Sequence, residues 1–318
     1  KKGVRNMTLQ RKEVTYQSKD GKSTIFARIW EDDAVKPEFV VQICHGMCEY
    51  IDRYDEFAEY VCSRGGVVCG NDHLGHGNTK QANEPSWYGY FADKNGEKIV
   101  VEDIHTFTEL MKQRYKSLPF VLMGHSMGSM LARSYMTKYK DEAVCAIFMG
   151  TSGSNNLTGI IRFLANVGMF FGRAKKPATF LSHLAFSKYN DRYKDVQTKN
   201  DWITRDRKRV EKYNADAQCT FLFTDRAAYD FANLVDEVSG VAWAKKLPKD
   251  KPYLLVSGSM DPVGNFGDGV REVYGWMKQA GDNVEMKLYE GARHELLNEI
   301  NRDEVKDDLF AWIKEKIK

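Results

Sequence analysis

A serine at the centre of residues 124–128 (Gly-His-Ser-Met-Gly) is the side chain best suited to act as a nucleophile. The apolar run 119–123 precedes it, and the helix-like stretch 129–139 follows it. When Gly-x-Ser-x-Gly lies between a strand and a helix, the serine occupies a sharp turn where the glycines remove Cβ atoms that would clash. We therefore assign Ser126 as a candidate nucleophile. The alternative is a glycine-rich turn with no chemical role.

Nucleophilic attack by a serine requires a histidine base and a carboxylate that orients the imidazole. After a serine on such a turn, the acid and then the histidine follow along the chain, each on a loop after a later strand. Asp261 follows the strand-like segment 252–258, and His294 follows the alternating segment 284–289. We expect Asp261 and His294 to complete a catalytic triad with Ser126. Because Asp-Pro commonly initiates turns, Asp261 could alternatively be only a turn former.

The other six histidines fit the role of the base less well. His125 lies next to Ser126, and its side chain should point away from the serine hydroxyl, so we expect it to brace the turn. The remaining five either come too early in the chain or have no strand end beside them: His45, His73, His76, His105 and His183. His294 is therefore the predicted base.

Stabilisation of the oxyanion that forms during attack requires two hydrogen-bond donors, and residues 39–47 offer one of them. An apolar strand-like run ends there at a His-Gly pair, and the glycine allows a sharp turn that leaves the amide of Met47 free. The amide of Met127, at the start of the helix after Ser126, would be the second donor. The predicted oxyanion hole therefore consists of these two amides. The alternative interpretation of residues 39–47 is an ordinary strand-ending turn.

Composition excludes several other classes of protein. The chain has 318 residues, 42% hydrophobic and 29% charged, which is enough to build a large core. A net charge of +3, without a basic stripe or a recognition motif, does not indicate nucleic-acid binding. No apolar run approaches the roughly 18 residues of a membrane span, and the start 1–5 has no signal-like apolar segment after it. We therefore expect a cytoplasmic protein.

The six cysteines show neither a Cys-x-x-Cys pair nor histidines at zinc-finger spacing, so no metal or other cofactor is predicted. Cys44, Cys69 and Cys145 lie in apolar strand-like runs, where we expect small core residues in a reducing compartment. Cys48 lies beside the proposed oxyanion turn. It could be a reactive thiol in the pocket or an inert loop residue.

Strands and helices alternate along the first 150 residues, which predicts a sheet covered on both faces. The first two strands should form an antiparallel pair, and the core elements resume near residue 251. The predicted strands of this first part are 13–16, 24–30, 39–44, 67–70, 120–123 and 144–149. The predicted helices are 55–62, 101–115 and 129–139.

Between residues 151 and 247 the alternation fails, and new helical patterns indicate a cap. Its first helix is apolar on nearly all sides, through Leu157, Ile160, Ile161, Phe163, Leu164, Val167, Met169, Phe170 and Phe171. Such a helix must pack against protein, lipid or an apolar ligand. Nearby basic residues could meet anionic headgroups in a transient membrane contact, or could simply be solvated: Arg162, Arg173, Lys175 and Lys176.

Several of these segments together resemble the α/β-hydrolase superfamily, in the branch of monoacylglycerol lipases, lysophospholipase-like enzymes and serine aminopeptidase-type hydrolases. The resemblance spans nearly the whole chain and keeps the order of the motifs. The matching segments are 45–49 (His-Gly-x-x-Glu), 53–54 (Arg-Tyr), 72–77 (Asp-x-x-Gly-His-Gly), 124–128, 257–261 and 291–294. Two residues depart from the pattern, since Tyr50 replaces a common histidine and Thr79 replaces the usual serine.

The resemblance implies an α/β-hydrolase fold, with a mostly parallel central sheet, helices on both faces and a helical cap inserted after the sixth strand. The core would comprise residues 1–150 and 248–318, and the cap residues 151–247. The implied reaction is hydrolysis of a carboxylic ester through an acyl-enzyme, with a monoacylglycerol or lysophospholipid as the expected substrate. The alternatives are a short-chain carboxylesterase, an acyltransferase or aminopeptidase on the same machinery, and a ligand-binding hydrolase fold without catalysis.

Overall fold

The computed structural model describes residues 9–79 and 88–318, and the basic start 1–5 lies outside these ranges. Within them, eight strands form one sheet in the order β1-β2-β4-β3-β5-β6-β7-β8. The strands are Leu9–Gln17 (β1), Thr24–Asp32 (β2), Phe39–Cys44 (β3), Gly66–Asn71 (β4), Phe120–His125 (β5), Cys145–Met149 (β6), Pro252–Gly258 (β7) and Asn283–Tyr289 (β8). All the strands predicted from the sequence are present.

The first two strands form the predicted antiparallel pair, and β2 also runs antiparallel to β4. The other neighbouring strands pair in parallel, so the prediction of a mostly parallel sheet is confirmed. Strands β3 to β6 are buried along their whole length, because parallel strands in such a sheet are covered by helices on both faces. By contrast, β1 lies at the edge and alternates between half-buried and exposed residues.

Helices cover both faces of the sheet, as expected for an α/β-hydrolase fold. Their bounds are Asp55–Cys62 (α1), Gly96–Arg114 (α2), Met127–Lys138 (α3), Thr158–Phe170 (α4), Thr179–Phe186 (α5), Arg207–Ala215 (α6), Asp225–Glu237 (α7), Gly240–Ala244 (α8), Asp268–Ala280 (α9) and Arg302–Lys316 (α10). The side chains of α1 and α10 join one core, whereas those of α2, α3 and α9 join the core on the other face. Among the described helices, none is both long and apolar enough to cross a bilayer.

The helices from α4 to α8 lie between β6 and β7, which confirms a helical insert after the sixth strand. Arg133 on α3 ties both ends of this insert to the core. Its guanidinium donates to the Ser152 carbonyl at 2.9 Å near the start of the insert, and to the Val238 carbonyl near its end. The same group lies 4.2 Å from the Trp243 ring. Burial lowers the pKa of Arg133 to about 9, which shows how completely the core encloses it.

The order of the strands determines where a site can form. From β3 the chain first adds β4 on one side and then β5 on the other, so the sheet has a topological switch point at β3. In sheets of this kind, ligands bind outside the carboxyl ends of the strands near such a point. The loops after β3, β5, β6, β7 and β8 all emerge at this edge, and they carry every residue that the sequence analysis assigned to the site.

Candidate active site

Ser126 stands between β5 and α3 with φ 54° and ψ −123°, a conformation that a serine rarely adopts. Its N–H donates to the Met149 carbonyl at 2.9 Å, which fixes the turn. The turn also requires close approach of the backbone. A Cβ at Gly124 would lie 2.2 Å from the Gly128 oxygen, and one at Gly128 would lie 2.0 Å from the Cys44 oxygen. The structure thus contains the sharp turn expected from the sequence, with the serine partly exposed.

The loop after β3 lies directly against this turn. A Cβ at Gly46 would be 3.0 Å from Ser126 Cβ, so Met47 begins within one peptide unit of that contact. Met127 is the first residue of α3, and the first N–H groups of a helix have no carbonyl partner within it. Both residues predicted for the oxyanion hole therefore lie beside Ser126. Their role as donors stays a prediction.

Asp261 and His294 form a buried pair at the ends of β7 and β8. The Asp261 Oδ2 atom lies 2.9 Å from His294 Nδ1, and it also accepts a hydrogen bond from Ser257 Oγ at 3.0 Å. Burial would raise the pKa of Asp261, but His294 and the other donors outweigh it and hold that pKa below its ordinary value. The carboxylate is therefore ionised and oriented toward the imidazole. Asp261 is therefore not only a turn former, because it forms the hydrogen bond with His294 that was predicted from the sequence.

Glu49 connects the loop after β3 to the turn that carries Ser126. Its Oε1 atom accepts hydrogen bonds from the Gly46 N–H and from the Tyr54 hydroxyl, the latter at 3.0 Å, and lies 2.9 Å from His125 Nδ1. The other ring nitrogen of His125 lies 3.3 Å from the His294 carbonyl. His125 thus braces the turn, as expected, and it does so through one buried carboxylate.

The charge of Glu49 is balanced by Arg53, which donates to it at 3.1 Å and forms two 2.7 Å hydrogen bonds with Glu295. Burial would raise the pKa of Glu49, but the hydrogen bond and charge of His125 and the charge of Arg53 hold it far below its ordinary value. Burial would likewise lower the pKa of His125, and Glu49 reverses the direction, so that the pKa is raised. The site therefore rests on a largely buried cluster of compensating charges.

Three further histidines support the loop after β3. The ring of His45 accepts a hydrogen bond from the His73 N–H at 3.0 Å through Nε2, so its Nδ1 carries the proton and donates to the Gly46 carbonyl at 2.8 Å. His76 packs against the His45 ring, with 5.2 Å between the ring centroids. Burial lowers the pKa of His45 to about 4 and that of His76 to about 3, and it lowers that of His73 well below its ordinary value. All three are neutral supports of the loop.

The imidazole of His294 is enclosed by three neighbours. The rings of His125 and Trp202 lie against it, with centroids at 4.7 and 5.1 Å. The third neighbour is Gly150, which follows β6 with φ +59°. A Cβ at this position would lie 3.1 Å from His294 Cε1 and 3.2 Å from its Nδ1. His294 therefore has little free space on the side of the loop that follows β6.

Sequence reasoning missed the roles of Glu49, Gly150 and Trp202. The His-Gly-x-x-Glu pattern contained a signal for Glu49, since a carboxylate three residues after a turn glycine can reach back to its N–H. No comparable signal existed for Gly150, because its positive φ and its approach to His294, on the loop after β8, arise only from the fold. Trp202 lies in the insert, more than 90 residues from His294, so its contact is purely tertiary.

The described residues contain no group of three or more His, Cys, Asp or Glu side chains that could hold a metal ion. Cys48 is half-buried, has φ +55° and donates through its sulfur to the Phe221 carbonyl at 3.3 Å. Burial raises the pKa of Cys48 to about 12, which keeps the thiol protonated. The structure thus favours the interpretation of Cys48 as an unreactive loop residue.

Residues 35–301 match the family of hydrolases described as serine aminopeptidase, S33. This match covers most of the chain and contains every residue of the site described above. The chain belongs to this family. Its relatives include a monoglyceride lipase homolog of Monkeypox virus, which is 26% identical over 92% of this chain and 95% of the relative. A monoacylglycerol lipase of Mycolicibacterium smegmatis is 25% identical, with 90% of this chain and 91% of the relative covered.

A solved structure is more similar still. The thermostable carboxyl esterase of Bacillus coagulans, determined in complex with glycerol, is 31% identical and superposes with a TM-score of 0.90 over 98% of this chain and all of that chain. The α/β-hydrolase fold predicted from the sequence is therefore confirmed. Together with the S33 family match, these relationships support a serine ester hydrolase, which is the enzyme class that the sequence predicts.

Replacing Gly150 with alanine tests whether the space beside His294 matters. We expect kcat to fall at least tenfold, because the new Cβ would displace an imidazole that has to remain correctly oriented. Steady-state hydrolysis of p-nitrophenyl butyrate measures this. Gly240→Ala is the matched control, since Gly240 has a comparable φ of +81° but nothing within 4 Å of an added Cβ. Equal kcat values for the two variants would contradict the prediction.

The buried histidines predict a defined effect of pH on stability. A histidine whose pKa is lowered on folding binds a proton only when the chain unfolds. Each such histidine therefore lowers the free energy of unfolding as pH drops below about 6.5, by up to about 1.4 kcal/mol per pH unit. Asp72 and Asp103, whose pKa values burial raises to about 7, act with the opposite sign. The contribution of one histidine is therefore obtained from the difference in pH dependence between the wild type and a variant that lacks that histidine.

His76→Phe provides that difference, because three phenylalanine rings already surround His76. We expect its free energy of unfolding to depend on pH with a slope that differs from wild type by about one proton between pH 6.5 and 4.5. The wild type should lose the additional stability as pH falls. Urea denaturation at four pH values measures both slopes, and parallel curves would show that His76 is not buried in the neutral form.

Proposed function

We propose that this protein hydrolyses monoacylglycerol esters with Ser126 as nucleophile, His294 as base and Asp261 as the acid that orients the base. The observation that carries the proposal is the buried Asp261–His294 pair, 2.9 Å apart at the ends of β7 and β8, at the edge where Ser126 occupies a left-handed turn. This combination serves nucleophilic catalysis by a serine. The relatives named monoglyceride lipase homolog and monoacylglycerol lipase support the choice of substrate.

In the proposed mechanism, Nδ1 of His294 donates a hydrogen bond to Asp261. Nε2 is then free to accept the proton of the Ser126 hydroxyl. Ser126 attacks the ester carbonyl, and the amides of Met47 and Met127 hold the resulting oxyanion. The tetrahedral intermediate then expels the alcohol, to which His294 returns the proton, and an acyl-enzyme remains. A water molecule, deprotonated by His294, attacks the acyl group. The second tetrahedral intermediate then collapses, its bond to Ser126 Oγ breaks as His294 returns the proton to that oxygen, and the fatty acid is released.

A second candidate is a short-chain carboxylesterase. It is favoured by the similarity to the Bacillus coagulans carboxyl esterase. The identity of this esterase to the chain, 31%, exceeds that of the two lipase relatives described above. The glycerol bound by that esterase is, however, the alcohol that a monoacylglycerol would release. The two candidates share the same triad and differ only in the length of the acyl chain. Chain-length preference is therefore the property that separates them.

We propose residues 151 and 247 as the bounds of the insert. We further propose that the insert contacts lipid. One face of α4 packs within the insert through Ile161, Leu164 and Ala165. The opposite side of α4 exposes Ile160, Phe163, Val167 and Phe170. Phe171, directly after α4, and Phe180, on α5, are also exposed, and Phe170 and Phe171 are more than 70% exposed. Apolar side chains of this size are unusual in water at this density. Lys176, which is exposed after α4, is suited to anionic headgroups, whereas Arg173 is paired with Asp225 at 3.1 Å.

Ser126→Ala tests the nucleophile and the substrate together. We expect turnover to fall on the order of a millionfold, by analogy with other triads. Hydrolysis of p-nitrophenyl esters from acetate to palmitate, and of the matched monoacylglycerols, should show serine-dependent activity that is greatest for medium or long monoacyl chains. Activity confined to acetate and butyrate would select the carboxylesterase, and cleavage of aminoacyl amides in preference to esters would select a peptidase.

The double variant Phe163→Ser, Phe170→Ser tests the lipid contact. We expect it to bind vesicles of phosphatidylglycerol and phosphatidylcholine at least tenfold more weakly, because two apolar side chains no longer leave water on binding. Co-sedimentation measures this, and hydrolysis of a soluble short ester should be unchanged. Ile300→Ser is the control, since Ile300 is 60% exposed but lies outside the insert. Undiminished binding by the double variant would refute the proposed surface.

A further inference from the structure

Part of the insert is bonded directly to the loop that carries His294. We call residues 189–205 the strap segment. The His294 N–H donates to the Trp202 carbonyl at 3.4 Å, and the Glu295 N–H donates to the Ile203 carbonyl at 2.6 Å. Successive backbone groups of the His294 loop therefore pair with successive carbonyls of the strap segment. The base is held by the insert as well as by the sheet.

Charged side chains reinforce these backbone contacts on both sides of His294. Arg293 is buried and donates to the Asp201 carbonyl at 2.8 Å and to Asp195 at 2.7 Å. Glu299, which is fully buried, accepts from the backbone N–H of Arg293 at 2.8 Å and from Arg205 Nε at 2.9 Å. The two ion pairs join the strap segment to the loop before and after the base. Little independent movement is left between the two segments.

The strap segment also reaches the loop that carries the acid. The Tyr193 hydroxyl donates to the Met260 carbonyl at 2.6 Å, one residue before Asp261. The guanidinium of Arg192 lies 3.9 Å from the ring of Phe266, a residue with φ +56° whose N–H donates to the Asp261 carbonyl at 2.8 Å. The same segment of the insert thus spans the acid and the base.

Trp202 is the member of the strap segment whose side chain touches the imidazole itself. Its ring centroid is 5.1 Å from that of His294, at an interplanar angle of 42°. Tyr189 supports the indole ring from behind, in an edge contact at 5.0 Å. A single hydrogen bond, donated to Asp261 by Nδ1, fixes one nitrogen of His294, but that bond by itself leaves the ring free to tilt about it. Packing against a rigid aromatic ring limits this tilt.

We propose that Trp202 is a positioning residue for His294, so that the insert contributes to the alignment of the base in addition to any role in binding lipid. This inference rests on the proposed function, because it requires His294 to be the base. Trp202 packs against the imidazole ring without taking part in the hydrogen bond between His294 Nδ1 and Asp261. It acts on the frequency with which Nε2 is aligned for proton transfer, and therefore on kcat more than on KM.

The test compares Trp202→Ala, Trp202→Leu and Trp202→Phe with wild type on p-nitrophenyl butyrate, a soluble ester that does not require a lipid surface. We expect kcat to fall tenfold to a hundredfold in the alanine variant and by an intermediate factor in the leucine variant, with KM changed less than about threefold. Phenylalanine should restore kcat to within about threefold of wild type, because it again presents a flat ring. Melting temperatures and circular dichroism verify that each variant is folded.

Leu110→Ala is the control, since Leu110 is 37% exposed on α2, outside both the site and the insert. His294→Ala separates the two proposals. If it remains active, the proposed function fails, whatever the Trp202 variants do. If it is inactive while Trp202→Ala and Trp202→Leu keep the wild-type kcat, the positioning role is refuted. An effect confined to KM, or a phenylalanine variant as impaired as alanine, would also overturn the inference. Should the alanine variant not fold, the leucine and phenylalanine variants decide between the outcomes.

Discussion

The structure of the site depends on how closely three backbone segments approach one another behind the serine. The end of β3, the turn at Ser126 and the first turn of α3 come so near that there is no space for a Cβ at Gly124 or Gly128. This approach imposes the left-handed conformation of the serine. Strain of this kind, which costs on the order of 1–3 kcal/mol, persists only where the surrounding structure determines the backbone. Here the parallel strands and their buried helices provide that constraint.

The second requirement is electrostatic, since buried polar and charged groups need partners. Bringing the loop after β3 against the serine turn buries polar groups that would otherwise be hydrated. Glu49 satisfies the N–H of Gly46, the hydroxyl of Tyr54 and a nitrogen of His125, and Arg53 compensates its charge. Neutral histidines fill the space beneath. The Glu49 carboxylate is thus paired with several donors, and a buried carboxylate of this kind would be costly if any one partner were absent.

Much of this arrangement could be predicted from the sequence, and the reason is local. Apolar runs of five or six residues followed by turn residues identified the strands, and the chain order of Ser126, Asp261 and His294 then followed from their position at strand ends. Helix α1 was predicted to the residue, whereas α2 begins five residues earlier than its apolar spacing suggested. Its first turn contains Gly96 and charged residues, which carry no periodic apolar signal.

What the sequence could not provide is the set of contacts between segments that are distant along the chain. The contact of Trp202 with His294 and the absence of a side chain at Gly150 both depend on how the insert and the loop after β6 approach the loop after β8. The faces of α4 illustrate the same point. Its apolar pattern indicated that something must cover the helix, but only the packing of Ile161 and Leu164 shows which face the protein itself covers.

The bonding of the strap segment to the His294 loop has a consequence for how this family can diversify. An insert in a surface connection is usually regarded as an exchangeable module, free to vary while the core retains the chemistry. Here residues 189–205 share hydrogen bonds and ion pairs with the core loop, so the two must change together. Grafting an insert from a relative would transplant specificity only if the graft spared this segment or brought its partners with it. The part of the insert that can be exchanged independently of the core therefore excludes residues 189–205.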